Sequence, residues 1–294
     1  METATLTKTN KPAHFNAFLE KLVAQFKPLQ IYLYAELKKQ ELCNSIFCNV
    51  QAQEQDIYYL LIVTEGSVNI ENDIQQYADV HYKEGRAIIH SHGQETLKQN
   101  LNERNGYFSS VLKYGQMLYN IDNALYLDEV LSPNPKKWLG KAITYWRTRS
   151  QIARGFLQTA ELALENNHDH VSLFLLHQAT EQACVGLIWV FMGYKSDKRN
   201  LKRLLYICGC FSGLPLQHFM GTIENEKLLS MMMKSFSQAR YKDDFSLEGK
   251  SGYQFLELVI SFLDMADQLC KERFDALENQ LAEKVEKVSE ENYD

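Results

Sequence analysis

Residues whose types and spacing can do chemistry lie in several places along the chain. His177 and Glu181 stand four apart, so a helix would carry both on one face, either as site groups or as a buried hydrogen-bonded pair. Lys195, Lys198, Arg199, Lys202 and Arg203 form a basic cluster that would meet phosphates or else solvate a helix end. Lys136, Lys137, Lys141, Arg147 and Arg149 form a second cluster open to the same two readings. His90 and His92 would share one face of a strand and could ligate a metal, but no third ligand lies nearby. Gly249-Lys250-Ser251 ends like a phosphate loop, yet Asp244 stands where the earlier glycine belongs. The 6 cysteines show no C-x-x-C pair, and Cys208-Gly-Cys210 supplies too few ligands for zinc. They read as reduced thiols filling a core.

These groups need elements to position them. A chain of 294 residues suits two ordinary domains or one large one, and 45% hydrophobic with 23% charged residues excludes a disordered, collagen-like or disulfide-dense chain. Only 14 Gly and 5 Pro point to long helices. The net charge of −6 argues against an indiscriminate polyanion binder. The charge is uneven, however: residues 1–130 carry a net −5, residues 131–275 a net +3 and residues 276–294 a net −4. Any contact with nucleic acid or nucleotide is therefore expected in the middle section. The polar start and the interrupted apolar window Val171 to Tyr194 read as a cytoplasmic protein without a membrane span.

Apolar spacing predicts a helix over His14 to Phe26 and strands over Ile31 to Ala35 and Asp56 to Thr64, the second buried on both faces because it barely alternates. Tyr77 to Tyr82 and Arg86 to Ser91 suggest a hairpin or two adjacent strands, and Gly106 to Tyr119 a helix. Two prolines in Leu131-Ser-Pro-Asn-Pro135 then stop any regular element. Beyond them the pattern predicts helices at about 136–166, 169–194, 197–211, 218–238 and 248–280, Asp169 capping the second, packed as an antiparallel bundle. The expected domains are 1–130 and 136–280, followed by an acidic tail, 281–294, that frays or extends the last helix.

The segment Arg154 to His168 followed by His177-Gln-Ala-Thr-Glu181-Gln-Ala183 resembles the start of a HEPN domain, a nucleotide-binding and RNA-cleaving helical bundle. The resemblance extends over about residues 140 to 275, through Asn200-Leu-Lys-Arg-Leu-Leu205 and Ala239-Arg-Tyr241. The candidate ligand-binding residues are Arg240, Tyr241, Glu181, His177, Lys198, Arg199 and Arg203, of which Arg240 and Tyr241 either line a nucleotide or RNA site or cap and pack the last helix; the resemblance implies a homodimer in which two bundles face a shared cleft. RNases of that family resemble one another in an R-x(4–6)-H motif, its histidine working on the ribose 2′-hydroxyl and its arginine on phosphate charge. After Arg240 no histidine follows within seven residues, and Asp243 and Asp244 would repel a phosphate backbone unless a metal intervened.

The N-terminal order of helix, Ile31-Tyr-Leu-Tyr-Ala-Glu36 and Asp56-Ile-Tyr58 resembles a minimal nucleotidyltransferase domain. Such a domain needs Gly-Ser to cradle phosphate and two carboxylates at i and i+2 on one strand face to hold magnesium. Here Ala35-Glu36 replaces the first and Tyr58 the second acid, which implies a degenerate domain. The expectation is thus an α+β chain: a small nucleotidyltransferase-like α/β domain, then an all-α HEPN-like bundle. It would bind nucleotide or RNA without cutting it, need no cofactor, and regulate or engage a partner in a prokaryotic defence, toxin–antitoxin or stress system. The alternatives are an active enzyme (an RNase around Arg240, or a magnesium-dependent transferase using Asp56) and a purely structural interaction module.

Overall fold

The computed structural model describes residues 5–6, 11–38, 56–67, 69–121, 133–238 and 251–291. The chain divides into two units, Met1–Pro133 and Asn134–Asp294.

The first unit is a five-stranded mixed sheet with helices on both faces. Its elements are β1 (Thr5–Leu6), α1 (Ala13–Phe26), β2 (Gln30–Leu37), β3 (Asp56–Thr64), α2 (Glu71–His81), β4 (Gly85–Gly93), α3 (Gln94–Asn102), α4 (Gly106–Tyr114) and β5 (Gln116–Asn120). The strand order is β1-β5-β2-β3-β4, with β3 and β4 parallel and the other pairs antiparallel. Tyr58, Leu60 and Ile62 of β3 pack under Phe15, Phe18, Leu19 and Leu22 of α1 and Ile74 and Ala78 of α2. On the other face Tyr59 meets Tyr34, whose ring stands edge-on to Tyr107 of α4. Layers on both faces are why β3 reads as an unbroken apolar run.

Two expectations fail here for physical reasons. Tyr77 to Tyr82 is not a strand but the end of α2, whose Ile74 and Ala78 are buried one turn apart. Adjacent parallel strands require a crossover, and this helix supplies it; the aromatic run Tyr77 to Tyr82 only imitates β composition. Gly106 to Tyr119 is likewise not one helix. α4 stops at Gly115, where a Cβ would meet the Val111 carbonyl oxygen at 2.4 Å and that of Leu33 at 3.3 Å. The chain then leaves as β5. The polar α3, with Leu97 alone buried, was beyond the apolar pattern.

The second unit is helical: α5 (Pro135–Glu165), α6 (Asp169–Met192), α7 (Leu201–Cys208), α8 (Leu214–Met220), α9 (Ile223–Gln238) and α10 (Gly252–Glu291). Asn134 caps α5 by accepting from the Lys137 amide at 3.0 Å, and Pro135 sits in the first turn. Asp169 opens α6 as an acid in its first turn rather than capping it, since His168 holds the cap position. The helix expected at 197–211 is only α7, because Asn200 caps it at the Arg203 amide, 3.0 Å. The one expected at 218–238 is two, α8 and α9, with Thr222 accepting from Asn225 to start the second. The last runs on to Glu291, so most of the acidic 281–294 segment continues it.

α6 is the central helix. Leu173, Leu176, Ala179, Ala183, Leu187, Ile188 and Val190 are buried around it. Gly186 lets α5 come close, for a Cβ there would lie 2.7 Å from the Trp146 ring. Trp146 is fixed in turn by Asp267 of α10, which also accepts from Ser150 and Arg154. Among the described residues no helix is long and apolar enough to cross a membrane.

Candidate functional site

Because α6 is enclosed, its few polar residues are held in place. His177 is 2% exposed and Glu181 9%. His177 Nδ1 lies 4.0 Å from Glu181 Oε2, and the Gln178 amide reaches both, at 3.2 and 3.5 Å. Burial pulls the His177 pKa down from its ordinary value to about 4, so at neutral pH the ring is an uncharged hydrogen-bonding group. Burial pushes the Glu181 carboxyl up, while Arg199 and Arg149 pull it back.

His177 opens onto a cavity of about 600 Å³. Its lining continues through Arg199, Asn200, Leu201 and Lys202, at the start of α7, and through Glu226, Leu229, Ser230, Met233 and Lys234 of α9. Three cations therefore surround a neutral imidazole, with Leu229 and Met233 as apolar floor. One acid intrudes: Glu226 Oε1 lies 3.8 Å from Lys202 Nζ. The volume is that of a small-molecule site, and the cations favour an anionic ligand.

The structure thus gathers His177 and Arg199 on one cavity, with Glu181 beside them. Lys198 and Arg203 are not among its lining. Lys198 is turned to Asp197 at 3.3 Å with its side chain 13% exposed, and Arg203 is half-buried on α7. Arg240 and Tyr241 lie outside the described residues, as do Asp243, Asp244, Cys43 and Cys48. Sequence reasoning missed Glu226, Ser230 and Lys234, which recur at four-residue spacing on α9. That spacing marks any solvated helix face.

Asp56 belongs to the other unit, at the first position of β3. The Tyr58 hydroxyl donates to its Oδ2 at 3.3 Å, and burial with the Asp56 charge pushes that phenol up to about 12. Glu36 pairs with Tyr58 across the β2–β3 ladder, but its carboxylate is held by Lys11 and Lys38. A phenol between two carboxylates, one of them neutralised, does not fit a pair of magnesium ions, which require several oxygen anions in octahedral arrangement. His90 is wholly buried, its Nδ1 within 2.8 Å of the Tyr107 hydroxyl and 3.1 Å of that of Tyr34, while His92 packs edge-on against Phe108. The two imidazoles are therefore not a metal pair. Among the described residues no group of three or more His, Cys, Asp or Glu could hold a metal ion.

No curated protein matches the chain. Among solved structures it is similar to a nucleotidyltransferase-like protein from Exiguobacterium sibiricum 255-15, at 12% identity and a TM-score of 0.26 over 92% of this chain and 79% of that one. Residues 146–269, from the middle of α5 to the end of the packed part of α10, match the HEPN domain family.

Proposed function

We propose that the helical unit binds a nucleotide, free or within RNA, in the cavity between α6, α7 and α9, without cutting it. The observation that carries this reading is the convergence of Arg199, Lys202 and Lys234 on a cavity floored by Leu229 and Met233. Cations meet phosphate oxygens and an apolar floor meets a base. His177, kept neutral, supplies a directional hydrogen bond rather than charge. The HEPN match over residues 146–269 supports the same ligand class. In the other unit, Tyr58 in place of an acid beside Asp56 supports a scaffold rather than a transferase. On this reading the protein acts in the cytoplasm as a homodimer through its helical unit, regulating or engaging a partner in a defence, toxin–antitoxin or stress system. Arg240 and Tyr241 remain part of the proposed ligand-binding set, with Glu181, Lys198 and Arg203.

Calorimetry with ATP, GTP and a short RNA tests the cavity. Arg199→Ala or Lys202→Met is expected to weaken binding about tenfold, the worth of one charge-assisted contact. Glu226→Gln is expected to tighten it roughly threefold by releasing Lys202 from its intramolecular partner. Equal affinity in wild type and Arg199→Ala would remove the cavity from consideration. Magnesium-dependent label transfer from ATP, abolished by Asp56→Ala, would instead establish the transferase.

A further inference from the structure

α5 carries a second concentration of positive charge, none of it among the residues that line the cavity. From Pro135 to Ala160 it has six cations, Lys136, Lys137, Lys141, Arg147, Arg149 and Arg154, and no acid, in a chain of net charge −6. Arg154 is neutralised by Asp264 and Asp267, and Arg149 donates to Gln182 at 2.6 Å. Among the described residues, Lys136, Lys137, Lys141 and Arg147 make no ion pair.

Trp138, Lys141, Tyr145 and Arg149 follow at spacings of three, four and four, which places them on one face of α5. That face borders α6, whose Trp189 ring lies 5.5 Å from Trp138 and 5.0 Å from Tyr145. The Arg149 guanidinium stands 5.0 Å over the Tyr145 ring. The three rings are half-buried.

A half-buried aromatic row and a basic margin without acids have one common complement. A base offers a π-face, and its backbone offers phosphates. A second copy of this chain pairing isologously would instead set the same unneutralised lysines against each other. We propose that Trp138, Tyr145 and Trp189, flanked by Lys137, Lys141 and Arg149, form a stacking platform for single-stranded polynucleotide. From Trp138 to Arg149 it spans eleven helical steps, about 16 Å, room for more than one base. This surface is separate from the cavity and would bind a strand even where a mononucleotide leaves it untouched.

The test is fluorescence anisotropy of a short labelled oligouridylate on the full chain, beside calorimetry with ATP. Trp138→Leu is expected to weaken the oligonucleotide about tenfold, the loss of one stacked base, and to leave ATP binding unchanged. Lys141→Gln, at an exposed position that cannot disturb the core, is expected to lower the salt dependence of oligonucleotide binding by about one phosphate contact. Wild-type tryptophan emission should fall on oligonucleotide addition, and less so in Trp138→Leu. The proposal is overturned if the wild type binds no oligonucleotide, or if both variants bind as wild type does. It is equally overturned if sedimentation shows that Trp138→Leu dissociates a dimer without changing oligonucleotide affinity, for the face is then an interface between copies.

Discussion

His177 is expected to give the protein an acid-labile component of stability of about 3 kcal/mol, lost between pH 6.5 and pH 4. Its imidazole is almost fully buried and its pKa is held near 4 by burial, against 6.5 for the free side chain. Between those values the unfolded chain binds a proton that the native state refuses, so stability rises with pH across that window and is fully present above it. At about 1.4 kcal/mol per unit, the difference gives the stated magnitude. Glu181, facing His177 at 4.0 Å, acts with the opposite sign: its carboxyl is raised, so acidification relieves its burial and offsets part of the loss. Arg199 and Arg149, which also act on Glu181, carry fixed charge throughout. Urea denaturation from pH 7.5 to pH 4 should therefore show a shallower slope in His177→Gln than in wild type. Parallel slopes would mean that the imidazole takes up its proton in the folded state as readily as in the unfolded chain, charging in place on acidification. It would then be a fourth cation of the cavity rather than its neutral member.

The second large effect concerns the seam between α5, α6 and α10. Asp267 accepts from the Trp146 indole at 3.0 Å, from Ser150 at 3.2 Å and from the Arg154 guanidinium. Asp267→Ala strands a largely buried indole donor and leaves the Arg154 guanidinium with Asp264 alone, so a loss of about 3 kcal/mol is expected. For a unit of this size that lowers the melting temperature by roughly 6–12 °C. Gly186→Ala presses on the same indole from the other side, since its Cβ would sit 2.7 Å from Cε3 and Cζ3. An anchored ring cannot swing away, and overpacking of this kind costs about 1–3 kcal/mol. Trp146→Phe in the Gly186→Ala background should recover part of that loss, because the smaller ring is no longer tethered to Asp267. Strict additivity of the two substitutions would show that the ring and the glycine do not share one constraint.

Much of this architecture was legible in the residues. Scarce glycine and proline, together with apolar residues at helical spacing, foretold α5, α6 and α10, and an apolar run without alternation foretold the doubly covered β3. What misled was local composition that tertiary context overrode. The aromatic residues of Tyr77 to Tyr82 suit a strand, but the parallel pair β3–β4 demanded a helix there. β5 was hidden because its start joins smoothly to the helical spacing of α4, and only the close approach of Gly115 to two carbonyls separates them. For the cavity, the polar break in α6 announced His177 and Glu181, since such residues stand out in an otherwise apolar helix. Lys234 and Glu226 gave no such signal. They sit on an ordinary amphipathic helix some fifty residues away, and nothing but folding brings that helix over His177.

The strand order also bears on how the chain reaches this state. β2 is an inner strand, paired with β3 on one side and β5 on the other, yet Gln30 and its β5 partner Asn120 are 90 residues apart. During synthesis at about 5–20 residues per second, β2 waits roughly 5–18 s before the segment that closes its second edge has emerged. Throughout that interval an apolar strand presents unpaired backbone groups, the condition under which chains join one another edge to edge. A chain interrupted before Gln116 is therefore expected to aggregate. The helical unit runs less of this risk, because a helix satisfies its own backbone groups and α5 and α6, neighbours in sequence, pair with each other before α10 arrives.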